Sequence, residues 1–72
     1  MRSKEEALAN PMAGDRWRDE YDEEYTVRWV LDGKIGDQCT DGINNPSEVL
    51  ENPLNLWRLY MNNAKYLGGT NE

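Results

Sequence analysis

Histidine is missing from this 72-residue chain altogether, and cysteine occurs once, at Cys39. The first absence removes the usual general base, the commonest metal ligand and the side chain that titrates near neutrality. The second excludes an internal disulfide, and a lone thiol fits a reducing compartment. No apolar run approaches the ~18 residues that a membrane-spanning helix needs. The start, Met1-Arg2-Ser3-Lys4-Glu5-Glu6, runs into charge and not into an apolar core, so no signal peptide is expected. Enzyme signatures are lacking as well: there is no phosphate-binding glycine loop, no nucleophile with a base at hand and no zinc spacing. These absences predict a soluble, cytoplasmic protein that is not an enzyme and carries no cofactor.

What the chain does have is acid. Fourteen Asp and Glu against eight Lys and Arg give a net charge of −6. That balance disfavours direct contact with nucleic acid or an anionic membrane and favours basic partners. The excess is also local, because Asp19, Glu20, Asp22, Glu23 and Glu24 are interrupted only by Tyr21. A chain this short is one domain with a thin core, and such domains often gain stability from a second copy of themselves.

Periodicity divides the domain. Residues 1–13 form an N-terminal arm, in which Ser3 and Glu6 stand at capping-box spacing ahead of Pro11. The short helix over 3–9 is read equally as a frayed arm or a packed element. From 14 to 46 the period is two: Tyr25, Val27, Trp29 and Leu31 alternate with Glu24, Thr26, Arg28 and Val30. Asp32-Gly33 then supplies a type I′ turn into a returning strand at Lys34-Ile35-Gly36, and Arg16-Trp17-Arg18 supplies a shorter strand upstream. Residues 40–47 read as loop. Asn52-Pro53 and Gly68-Gly69 bracket a helix over 53–67, followed by a disordered tail over 68–72. Its apolar arc is broader than one sheet can cover, and Leu59 and Tyr66 on its flank are candidates for a dimer interface. The expected core is Trp17, Tyr25, Val27, Trp29, Leu31, Ile35, Leu54, Trp57, Tyr60 and Met61.

Three constellations could carry function. Closely spaced carboxylates at Asp19, Glu20, Asp22, Glu23 and Glu24 can imitate nucleic-acid phosphates and occupy a basic groove, with Tyr21 as an aromatic anchor; a solvated turn is the plainer reading. Asp37, Asp41 and Glu48 fall at positions 1, 5 and 12 of a calcium-loop spacing, with Gly42 at 6. Cys39 at position 3, however, offers sulfur where a hard cation prefers oxygen. The interleaving of Arg16, Trp17, Arg18, Arg28 and Trp29 could stack on bases. Strand alternation explains it otherwise, with the tryptophans inward and the arginines outward.

Residues 14–35, Gly-Asp-Arg-Trp-Arg through Glu-Tyr-Thr-Val-Arg-Trp-Val-Leu-Asp-Gly-Lys-Ile, resemble the opening of small SH3-like β-barrel proteins of tailed phages and prophages. Over about a third of the chain, the resemblance implies a strongly curved small sheet and an accessory, partner-binding role. The fold expected is therefore α+β: a three- to four-stranded antiparallel meander, SH3-like at its start, covered by a C-terminal helix. The function expected is a phage-type accessory protein that binds and modulates a basic host protein, as an inhibitor for instance, through the acidic segment. A self-assembling component that dimerises through the C-terminal helix, and a weak calcium-binding module, are the alternatives.

Overall fold

The computed structural model of the chain describes residues 2–39 and 48–69. The Asp32-Gly33 turn forms as its sequence demands. Both residues have positive φ, 51° and 74°, which is the type I′ geometry that matches the twist of the flanking strands. Around it the chain runs α1 (Lys4–Ala9), β1 (Asp15–Arg18), β2 (Glu24–Leu31), β3 (Lys34–Cys39), β4 (Leu50–Pro53), α2 (Leu54–Met61) and β5 (Lys65–Gly69). The strands pair antiparallel in one sheet of order β4-β3-β2-β1-β5. The architecture is α+β, with five strands where three or four were expected.

Both extra strands come from segments whose local signals point elsewhere. The expected helix over 53–67 is only Leu54–Met61, and Pro53 ends β4 while serving as the helix N-cap. Asn62-Asn63 are poor helix residues, and the chain leaves the helix there. It then pairs Lys65–Gly69 with β1, which gives the free edge of β1 a hydrogen-bonding partner and sets Tyr66 against Trp17, ring centroids 4.9 Å apart. Gly68 and Gly69, expected in a loose tail, are thus strand residues, and 70–72 lie outside the described residues. So does the loop expected over 40–47.

One extra residue in β2 corrects the expected core. Val27 pairs with Asp37, yet Trp29 pairs with Gly36 and Val30 with Ile35, so the register slips across Arg28. A bulge of this kind inverts which side chains face the core beyond it. Val27 and Ile35 are buried with Trp17, Trp57 and Met61, as expected. Leu31, expected inside, is 65% exposed at the hairpin tip. Trp29 shares the outer face with Gly36 and lies across it; a Cβ on Gly36 would stand 2.3 Å from the indole. Tyr60, also expected inside, is exposed on α2. Tyr25 and Leu54 are partly buried and pack against the core.

The inner face of the sheet is covered by both helices, not by one. Trp57 of α2 meets Trp17 edge to face, with centroids 5.6 Å apart at 89°. Ala7 of α1 is fully buried in the same cluster, so the N-terminal helix is a packed element. It is fastened at both ends. Ser3 Oγ accepts the Glu6 backbone N–H at 3.1 Å, the expected N-cap. Arg58 of α2 donates from Nε to the Leu8 carbonyl at 2.8 Å and from its second amino group to that of Ala9 at 3.0 Å. It therefore satisfies the carbonyls that α1 leaves open at its C-terminus. Asp15, 2% exposed, accepts from the Met12 backbone N–H at 2.9 Å and from the Tyr66 hydroxyl at 3.1 Å, and forms an ion pair with Arg2. Among the described residues no helix is long and apolar enough to cross a membrane.

Candidate partner-binding site

The acidic segment links β1 to β2, and its residues do different things. Asp19 shapes the turn: its Oδ1 accepts the backbone N–H groups of Tyr21 and Glu23, both at 2.9 Å, and its own N–H donates to the Glu23 carbonyl at 2.9 Å. That asparagine-like turn geometry lets Asp22 adopt φ 67°, in the left-handed region. Asp22 and Glu24 turn toward Arg18, whose guanidinium lies 3.2 Å from the first and 3.1 Å from the second. Glu23 accepts from the Tyr25 hydroxyl at 3.1 Å. Burial, reinforced by that carboxylate, pushes the Tyr25 phenol well above its ordinary value. The six residues singled out by sequence therefore stay together in space, but they divide into two faces.

Asp19, Glu20 and Tyr21 form one wall of a groove of about 610 Å³. The C-terminal half of α2 supplies a second wall, with Leu59, Tyr60, Met61 and nearby Asn63, and the strand residues Tyr25, Asp37, Leu50 and Asn52 supply the floor. That volume falls inside the range of roughly 300–1,000 Å³ typical of ligand sites. Tyr21 is 76% exposed and Leu59 72% exposed, and Leu50 and Tyr60 are exposed beside them. Large apolar side chains gathered at one groove are the usual mark of an interface.

Asp37 sits in the middle of β3, between Val27 of β2 and Leu50 of β4, and is 6% exposed. Burial lifts its carboxyl above the usual range; the approach of the Trp57 indole and of its own backbone N–H offsets only part of this. The Trp57 N–H does not complete a hydrogen bond of ordinary geometry with it. No protein-family model, curated protein or solved structure matches the chain.

The remaining sequence candidates separate. Of the calcium-loop set, Asp37 is a paired strand residue, Glu48 is exposed before β4, and Asp41 lies outside the described residues. Of the dimer pair, Leu59 projects from α2, whereas Tyr66 lies in β5, half-buried between Trp17 and Asp15. The two do not share a helix flank, because the helix on which they were placed together ends at Met61. Sequence reasoning missed the groove floor. In the sequence Asp37 stands out only as a candidate metal ligand, and Leu50 carries no signal, since β4 is recognisable only through its pairing with β3.

Proposed function

We propose that the chain is a small accessory binding protein of the phage type, which attaches to a basic host protein and modulates it without catalysing a reaction. The observation that carries this reading is the position of the acidic turn: it forms one wall of a groove whose other wall is exposed apolar helix surface. Acid beside exposed tyrosine and leucine gives a surface that attracts a basic partner and then holds it by burial. The resemblance of residues 14–35 to SH3-like phage proteins supports the same class of role. The strand order β4-β3-β2-β1-β5, with α2 set between β4 and β5, is compatible with a small curved sheet of that kind.

The test must spare the turn itself. Asp19 holds two backbone N–H groups, so it stays, and Glu20, Asp22, Glu23 and Glu24 are changed together to their amides. Bacterial lysate passed over the immobilised protein should yield a basic protein that the amide variant no longer captures. Equal capture by both would refute the acidic surface as the contact.

A further inference from the structure

We infer that the groove between the β1–β2 turn and α2 is a docking site for a short extended segment of a partner protein, one that presents a lysine or arginine next to an apolar side chain. The inference rests on the binding reading above and specifies what the groove receives.

Three observations meet at the site. The first is charge: Asp19 and Glu20 stand on one wall, and among the described residues no cationic side chain lines the groove. The five acids are not equivalent here, because Asp22 and Glu24 face Arg18, which leaves the groove wall to Asp19 and Glu20. The second is the floor. Asp37 is 6% exposed, belongs to the groove lining, and has no cationic partner among the described residues. A desolvated carboxylate is held at a cost that a guanidinium or ammonium arriving with its own hydrogen bonds would offset. The upward shift of the Asp37 carboxyl is the signature of that unmet need. The third is the wall formed by α2, where Leu59 and Tyr60 are exposed and line the same groove as the acids. An apolar side chain laid there would bury surface on both partners while its neighbour's charge reached the floor.

Geometry selects the extended form of the occupant. Tyr25 of β2, Asp37 of β3 and Asn52 of β4 carry the floor over three neighbouring strands, a span along which an extended segment would lay several residues. A cation on a long stem fits the depth, since lysine and arginine carry apolar stems below their charged heads. A small metal cation is not what the groove resembles a site for, because no cluster of three acidic or sulfur ligands occurs among the described residues.

A displayed library of short random peptides, panned against the intact protein, tests this directly. Enriched sequences should carry lysine or arginine beside an aliphatic or aromatic residue. In the complex, NMR signals of Tyr25, Asp37, Leu59 and Tyr60 should move. Asp37→Asn should weaken the enriched peptide about tenfold, and replacing its cation by neutral citrulline should do the same. Leu59→Ala, a change at a 72%-exposed position that leaves the core intact, should weaken it by a smaller factor. Enrichment without a cation, or equal binding by wild type and Asp37→Asn, would overturn the inference. Shifts confined to residues 19–24 would also overturn it while leaving the acidic-turn reading in place. Equal lysate capture by wild type and the amide variant, together with peptide binding that depends on Asp37, would refute the acidic turn as the contact and keep the groove.

Discussion

Replacing Asp15 by alanine should remove a large part of the stability of this domain. The carboxylate is almost fully buried at the start of β1 and serves three donors from three parts of the chain. Met12 N–H closes the turn into β1 at 2.9 Å, the Tyr66 hydroxyl ties β5 to β1 at 3.1 Å, and Arg2 fastens the N-terminal arm. A hydrogen bond to a charged group contributes about 1.5–3 kcal/mol. The Arg2 side chain is 21% exposed, so water takes over part of its role and its share is nearer ~1 kcal/mol. Met12 is exposed too, and its N–H can likewise turn to solvent in the variant. Summed with those discounts, Asp15→Ala should cost about 3 kcal/mol. For 72 residues the whole stability is expected to be roughly 4–11 kcal/mol, so this is a substantial fraction. Urea unfolding followed by tryptophan fluorescence measures it, because Trp17 and Trp57 lie in the core beside the affected strands. The Tyr66→Phe variant keeps the ring on Trp17 and loses only the hydroxyl, at a cost of about 1 kcal/mol. In the Asp15→Ala background the same change should have almost no effect. An Asp15→Ala cost below about 1 kcal/mol, or a Tyr66→Phe effect undiminished in that background, would refute the assignment of Asp15 as the shared acceptor.

Gly36→Ala should destabilise by about 1–3 kcal/mol, because the new methyl overlaps the Trp29 indole and forces it off the sheet; denaturant midpoints check the size, and a red shift in the Trp29 contribution to fluorescence checks the cause. Asp37→Asn should raise the melting temperature at neutral pH. The folded state raises the Asp37 pKa, so it favours the protonated carboxyl: the stabilisation is present below the unfolded value of 3.8 and is lost as pH rises through the folded value. Melting curves of wild type and Asp37→Asn should therefore converge in acid and separate toward neutrality, and a constant gap would contradict a buried, ionisable Asp37.

The legible part of the fold is the part whose signals are local. The Asp32-Gly33 turn needs two positive φ values, and the Ser3–Glu6 cap needs one side chain and one N–H three residues on; both are visible in a few adjacent letters. The paired strands around Trp17, Val27 and Ile35 were legible for the same reason, as were the acidic turn and its neighbouring aromatic, Tyr21. Trp29 and Leu31 were misplaced because a single extra residue at Arg28 inverts the alternation, and nothing local marks where a bulge will fall. The groove was only half legible: its acidic wall is a sequence run, while its floor joins residues from three strands.

Sequence by itself determined the chemistry this protein carries: abundant carboxylate, a tyrosine set among the acids and no histidine. Tertiary structure decided where that chemistry points. Residues 65–69 became a strand because the open edge of β1 needed hydrogen-bond partners and Trp17 needed a neighbour, a demand that local helix signals cannot express. The shortened α2 puts Leu59 and Tyr60 on the groove that the acidic turn also lines, and pairing on both sides of β3 puts Asp37 in the same lining. Burial and long-range pairing, which depend on residues far apart in the chain, turned an acidic stretch into one wall of a groove.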